Sequence, residues 1–458
     1  MSKCNTALSY LPCPIMFMFQ CVSGCRWGAG INVTATALLY RKDTNQMKQT
    51  NRRSMTILFL TMFIVMVGFG VIMPILPFYA ESMGATATDL GLLFAAYSIV
   101  QFFFSPIWGQ MSDRVGRKPM ILLGLVGFAL SFVLFGLANS LTMLFVARIL
   151  GGVLSAATLP TVMAYIADTT DTKSRGGGMG VLGAAMGMGI TFGPVIGGYL
   201  SEISAALPFY FSAALALAVA CFAAFFLPES RPKAAQLAAR QSTVRRGPLG
   251  NLADVWTALL GPIGFILILA FLASFASANL EGTFALFSEE HLGFGASQMG
   301  LLFGIMGVIM ALTQAFLVGP FINNWGEERM IKIGLISSAV GYICLLFTYD
   351  MLSVAVVMGV MGIGNAALRP AVNSLASKRS AADQQGAVMG IVNSYNSLGR
   401  IFGPIMGGFI FDLLGYQWPY ITGGVLFLLI WGLSIVLFNR DQRSGDSLVT
   451  VEAGASSD

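Results

Sequence analysis

The sequence predicts an all-α membrane protein of twelve transmembrane helices, arranged as two pseudo-symmetric six-helix bundles. Composition is the first observation: 56% of the 458 residues are hydrophobic and only 10% are charged. A soluble domain carries about 25% charged residues, and a mean hydropathy of +0.76 likewise makes lipid the solvent for most of the chain. The second observation is an internal repeat. Gly189, Gly193, Pro194, Gly197 and Gly198 recur 210 positions later as Gly399, Gly403, Pro404, Gly407 and Gly408. The same offset carries Gly109 and Gly116 onto Gly319 and Gly326, and Gly152, Pro160 and Gly180 onto Gly362, Pro370 and Gly390. An offset of 209 carries Gly91-Leu92-Leu93-Phe94 onto Gly300-Leu301-Leu302-Phe303, so one gap aligns two halves. The third observation is a strict alternation of basic and acidic loops.

A span needs roughly 20 apolar residues. Twelve stretches qualify: 55–79, 89–108, 119–138, 141–167, 176–201, 206–227, 261–287, 296–321, 328–347, 351–376, 386–412 and 417–438. Residues 55–227 thus form an N-terminal bundle and 261–438 a C-terminal one, joined by a polar linker over 228–260 that contains Arg240, Arg245 and Arg246. Residues 1–54 are Cys-rich and irregular and are expected to be a disordered extension or sequence upstream of a start at Met47 or Met55. The polar segment 439–458 is expected to be a disordered tail.

Loops after spans 2, 4, 8 and 10 hold Arg114, Arg117, Lys118, Lys173, Arg175, Arg329, Lys332, Lys378 and Arg379. Loops after the odd-numbered spans hold no Lys or Arg but contain Glu81, Glu202, Glu289, Glu290 and Asp350. Basic residues stay on the cytoplasmic side, so both termini and the linker are expected in the cytoplasm of a multi-pass protein of the cell membrane. None of the six cysteines has partners at metal-site spacing, so no metal is expected. There is one histidine, His291, and no Gly-Lys-Ser/Thr phosphate loop. Neither a membrane hydrolase nor ATP use is supported, and no cofactor or nucleic-acid partner is expected. An apolar chain of two like halves is instead the pattern of a secondary transporter, with its site where the halves meet.

Four charges fall well inside spans, away from their ends: Arg148, Arg369, Arg400 and Glu281. Each costs at least roughly 2.5–3.5 kcal/mol at the bilayer centre unless paired or hydrated, so each is a functional candidate. A carboxyl in a low-dielectric cavity is disfavoured in its ionised form, which suits Glu281 to carrying a proton. A pair between Glu281 and Arg400 is one option. Gln101, Asn279, Asn365 and the ring of Phe284 are candidates to line the same cavity, although helix–helix hydrogen bonding or core packing accounts for such residues equally well.

Gly109-Gln-Met-Ser-Asp113-Arg114-Val-Gly116-Arg117-Lys118-Pro119 sets a carboxylate among three cations between two glycine turns. It resembles the signature loop after span 2 of the major facilitator superfamily, with Met111 in place of the usual Leu; in that family the loop latches one conformation of the two halves. The second copy has Asn323 where Asp113 maps and is expected to be a weakened latch. Gly189, Gly193, Pro194, Gly197 and Gly198 let helix backbones approach closely, and together they resemble the span 5 motif of proton-driven drug antiporters. Arg148-Ile-Leu-Gly151-Gly152 resembles the span 4 motif, whose arginine is tied to proton movement.

From about 55 to 438 the chain is similar to NorA/Bmr-type multidrug exporters. The resemblance implies the major facilitator fold, a functional monomer, and exchange of protons for lipophilic drugs, with Glu281 at the position of the group's span 7 glutamate. Ala366 stands where the group often has a second acid, so coupling is expected to rest on Glu281. A carrier for one metabolite, sugar or lipid is the alternative.

Overall fold

The computed structural model describes residues 33–171, 174–241, 258–260, 263–380 and 385–455. Residues 1–32 of the expected extension and 242–257 of the expected linker lie outside the described residues. Residues Met1–Arg52 form one unit and Arg53–Asp458 a second. Helices follow in chain order as α1 Val33–Glu81, α2 Ala87–Val115, α3 Arg117–Gly136, α4 Leu141–Ser155, α5 Thr158–Thr169, α6 Arg175–Ile203, α7 Leu207–Phe226 and α8 Lys233–Gln241. The second half continues with α9 Gly264–Leu292, α10 Ala296–Leu312, a π-helical turn Thr313–Leu317, α11 Val318–Trp325, α12 Glu327–Leu345, α13 Met351–Lys378, α14 Gln385–Leu414 and α15 Trp418–Ala455. Among the described residues there is no strand.

Among the described residues, eleven helical stretches are long and apolar enough to cross a membrane, among them α4 with α5 and α10 with α11. The ninth expected span is present as α12, whose 19 residues begin Glu327-Glu328-Arg329 and include Lys332, so its first turns are charged. Two segments differ from expectation. Residues 33–54, expected to be irregular, are helical, and no glycine or proline interrupts them. Residues 439–455, expected to be a disordered tail, are helical as well, with no proline to stop propagation from the span.

Local chemistry places the ends. Thr86 and Asp89 form a reciprocal capping box at the start of α2, and Asp350 with Ser353 does the same for α13. Gly293 closes α9 in the left-handed conformation, φ 67°.

The repeat is a packing repeat. Methyl groups added at Gly189, Gly193 and Gly197 on α6 would strike the backbone of α1 at Phe63, Val67 and Val71. Their counterparts Gly399 and Gly403 on α14 sit in the same way against the α9 backbone at Phe271 and Phe275, and Gly407 meets the Asn279 side chain. Across the halves the pattern is reciprocal: Gly91 on α2 rests on the Pro404 carbonyl, and Gly300 on α10 rests on the Pro194 carbonyl. Thus α2 packs on α14 and α6 on α10, and these two seams join the bundles.

The seams close at one end only. Near Glu81, the carboxylate of Asp412 on α14 accepts hydrogen bonds from the amides of Ala87 and Thr88, at 3.0 and 2.8 Å, at the first turn of α2. Gly198 there abuts the Ala296 carbonyl. Towards the Arg117 end, a methyl added at Gly176, Gly177, Gly180, Gly183, Gly187, Gly319 or Gly390 would meet nothing within 4 Å. The bundles therefore splay apart around a cleft open at the Arg117 end.

Candidate functional site

Between the halves lies a small cavity lined by Phe69, Phe94, Tyr97, Ser98, Gln101, Arg148, Ala278, Glu281, Arg400 and Pro404. Both halves contribute: α1, α2 and α4 on one side, α9 and α14 on the other. Glu281 is half-buried on α9. It lies in the fields of Arg400 and Arg369, yet no ion pair within 4 Å joins it to either among the described residues. Arg369 on α13 is exposed although it belongs to a span, and it does not line this cavity.

Arg148 is only 2% exposed. Its guanidinium carbon lies 5.1 Å from the Phe94 ring centroid, 5.4 Å from Tyr97 and 5.8 Å from Phe135. Three ring faces thus supply the attraction that a carboxylate would otherwise provide. Its Nε has no hydrogen-bond partner. The Tyr97 hydroxyl is tethered in turn to Ser155 Oγ at 3.0 Å and accepts from Gln101 Nε2 at 3.4 Å.

A second cluster stands at the rim of the open end. Arg117, buried at 5% exposure, donates to Asp113 at 2.7 Å and to Asp168 on α5 at 2.9 Å. Arg231 reaches Asp113 at 3.2 Å. Glu229 accepts from the amides of Arg117 and Lys118, at 2.8 and 3.1 Å, and so caps α3, whose N-cap Gly116 has no side chain to do so. Gly116 takes φ 114°, and a methyl there would collide with the Glu229 carboxylate. The backbone carbonyl of Arg114 accepts from Arg240 Nε at 2.9 Å, and that of Gly109 accepts from Ser112 Oγ at 2.7 Å.

In the second half the offset of 210 maps Arg117 onto Glu327 and Asp168 onto Lys378. Glu327 pairs with Lys378 at 2.5 Å and accepts from Ser374 at 2.8 Å. The second copy thus keeps the counterpart of the Arg117–Asp168 pair with the charges exchanged, while Asn323, at the position of Asp113, has no charge to offer. Burial opposes the Glu327 charge, but the Lys378 and Ser374 hydrogen bonds outweigh it and hold that carboxyl below its ordinary range.

A model described as Major Facilitator Superfamily matches residues 58–347 and, again, 266–455. The chain belongs to the major facilitator superfamily. Among superfamily members, Multidrug resistance protein 2 of Bacillus subtilis is 34% identical over 389 residues, covering 85% of this chain and 95% of the relative. Quinolone resistance protein NorA of Staphylococcus aureus is 28% identical over 388 residues, covering 85% and 97%. The human organic anion transporter MFSD10 superposes with a TM-score of 0.64 at 25% identity, covering 84% and 99%. The nucleoside transporter NupG, at 14% identity and a TM-score of 0.69, shares the superfamily fold.

Within this superfamily frame, the cavity brings together Glu281, Arg148, Arg400 and Gln101 and leaves out three residues expected in it. Asn279 is buried against α14 and α15, where its amide donates to the Pro419 carbonyl at 3.3 Å. Two positions before Glu281 in a helix of 3.6 residues per turn, it points almost oppositely. Phe284 is fully buried, stacked with Phe287 and edge-on to Phe303. Asn365 turns to α12 and accepts from Ser338 Oγ at 3.3 Å. Residues not foreseen are Asp168, Glu229 and Asp412, and only the loop position of Glu229, in Pro228-Glu229-Ser230-Arg231-Pro232, hinted at a role.

Proposed function

We propose that the chain is a secondary active exporter that exchanges protons for lipophilic toxic compounds at the Glu281 cavity. One observation carries this reading: the cavity lined by both halves holds a single carboxylate, Glu281. Proton and cargo compete for that group, so each can leave only when the other arrives. Relatives named for multidrug and quinolone resistance support a toxic-compound cargo. The basic loops put the open end in the cytoplasm, where cargo enters. The halves then rock about the midplane cavity, as the two-repeat architecture of secondary transporters permits. A single chain contains the complete cavity, so the working unit is a monomer.

The test uses everted membrane vesicles, a panel of dyes and drugs, and an imposed pH gradient. Uptake is expected to follow the gradient and to stop when it is dissipated. Glu281→Gln keeps the shape and removes the titration, so it should lose gradient-driven uptake by at least roughly 100-fold, as loss of a proton carrier demands. Full retained uptake in that variant would remove Glu281 from the mechanism.

A further inference from the structure

The repeat predicts one shape for spans 4 and 10, since Gly152 and Pro160 map onto Gly362 and Pro370. The two spans differ. α13 runs from Met351 to Lys378 without interruption, past Gly362 and Pro370. Its counterpart is divided into α4 and α5 at Ala156 and Ala157. Ala156 has φ −57° and ψ −20°, and Ala157 has φ −68° and ψ −27°. The Ala157 amide donates to the Leu154 carbonyl at 3.3 Å. These are the angles and the three-residue bond of a 3₁₀ turn, a form that inside a longer helix often marks a hinge. Pro160 adds to the break, because it has no N–H to offer the Ala156 carbonyl.

Two buried hydroxyls mark the same turn. Elsewhere in the protein, helical Ser and Thr donate to the carbonyl four residues back: Ser155 to Gly151, Thr191 to Gly187, Thr283 to Asn279 and Ser338 to Gly334. The hydroxyls of Thr158 and Thr161, on residues 1% and 0% exposed, have no hydrogen-bond partner among the described residues. Their carbonyls four back belong to Leu154 and Ala157, at the turn itself. Thr158 instead faces Gly124 on α3, which has no side chain to accept from it. The α4 side of the turn is fastened. The Tyr97 hydroxyl lies 3.0 Å from Ser155 Oγ, and Trp108 Nε1 donates to the Val153 carbonyl at 2.6 Å, so α2 holds the last turn of α4. The far end of α5 carries Asp168, held by Arg117 at 2.9 Å.

We infer that Ala156–Ala157 is a hinge in span 4: α4 stays on α2 with Arg148 at the cavity, while α5 is held bent by Arg117 and straightens when Asp168 is released. Straightening restores the four-residue spacing, so the Thr158 and Thr161 hydroxyls gain the acceptors that their counterparts elsewhere use. One ion pair thus favours the bent form and two hydrogen bonds the straight one, which makes a two-state element. The straight form is accessible to this pattern of glycine and proline, because α13 adopts it in the same molecule. The inference concerns how the N-terminal half moves and holds for any cargo.

Paired spin labels test it, on the whole chain with its six native cysteines replaced. Val146 on α4 and Met163 on α5 are exposed, and Val360 and Ser377 on α13 have the same separation in sequence. An unbroken helix puts either pair about 26 Å apart along its axis. In detergent, two distances are expected for the first pair and one for the second. Asp168→Asn should move the first pair towards the longer distance, and Pro160→Ala should leave only that one. Thr158→Val, which keeps the shape and removes the hydroxyl, should move it towards the shorter. A single distance in both pairs, or a first pair that none of the three variants moves, overturns the inference. Transport gives a second reading. In everted vesicles, Pro160→Ala should slow gradient-driven dye uptake at least roughly tenfold, as a conformational step that limits turnover demands. Dye affinity in detergent should stay within about twofold, because α4 keeps the cavity. Lost affinity with unmoved distances makes Pro160 a packing residue of the cavity and overturns the hinge. If no dye follows the gradient in the wild type, the exporter reading falls, while the distances still decide the hinge.

Discussion

Gly116 shows how one missing side chain serves two demands. Its φ of 114° is strained for any residue with a Cβ, and the space a Cβ would take holds the Glu229 carboxylate. Gly116→Ala should therefore cost about 1–3 kcal/mol from backbone strain, with loss of the α3 cap added. A fall in thermal midpoint in detergent, with loss of transport, would be the readout; an unchanged midpoint would refute it. Glu327 makes a pH prediction. Its carboxyl is held below its ordinary value, so the unfolded chain takes up the proton more readily than the folded one. The stability it contributes is present above the unfolded value and is lost as pH falls through the folded one. Lys378 is 65% exposed, so solvent screening limits the gain to about 1 kcal/mol or less. Glu327→Gln should accordingly lower the melting temperature at neutral pH and flatten its decline towards acid; a parallel shift at every pH would contradict this.

Between helices, the exchanged charges make a sharper prediction. Reversing Glu327 alone, as Glu327→Lys, sets two cations together at the start of α12 and the end of α13. Adding Lys378→Glu restores an ion pair of opposite sign, and the double variant should regain most of the folded yield and transport. The same exchange at Arg117 and Asp168 should fail, because Arg117 also holds Asp113 and Ser112, while its amide is held by Glu229. Recovery in the first half equal to that in the second would sink this reading. Asp412 tests the closed end. Its carboxylate bridges the halves by satisfying the otherwise unpartnered amides at the first turn of α2. Asp412→Ala should weaken that closure by roughly 1–3 kcal/mol, the worth of hydrogen bonds to a charged group. Spin-label distances across the Glu81 end should then lengthen; unaltered distances would refute it.

The sequence disclosed these elements unevenly. Helix packing through Gly193 and Gly403 was legible because close backbone approach demands glycine at every crossing, and the demand repeats at a fixed offset. Asp412 and Asp168 were not legible, since an acid at a helix end looks like any solvated loop residue until its partner from a distant segment is seen. Asn279 misled for the converse reason: a polar residue beside Glu281 invites a shared role, but the helical turn between them sends it into the α14 and α15 interface. Glu281 and Arg400 were legible because an ionisable group in lipid is too costly to be incidental.

Within Arg53–Asp458, two like bundles meet along the α2–α14 and α6–α10 seams. The reciprocal contacts, Gly91 on Pro404 and Gly300 on Pro194, lie about one helical turn in from the closed end, where Ala87 and Thr88 meet Asp412. Rotation about that pivot would open the Asp412 end as it closed the other. The glycines that face empty space at the open end are then the surfaces that meet in the opposite state. Gly183 and Gly390 are suitable reporters, since a side chain there meets nothing now. Cysteines placed at each, in a background lacking all six native cysteines, should react with a membrane-impermeant thiol reagent added to everted vesicles, where the cytoplasmic face is outward. Addition of transported cargo with a pH gradient should slow that labelling. A cysteine at Ser82, near the closed end, should resist the reagent in everted vesicles and label in right-side-out cells. Labelling of all three from the same side would contradict the assigned topology, and labelling indifferent to cargo and gradient would contradict the rocking of the halves.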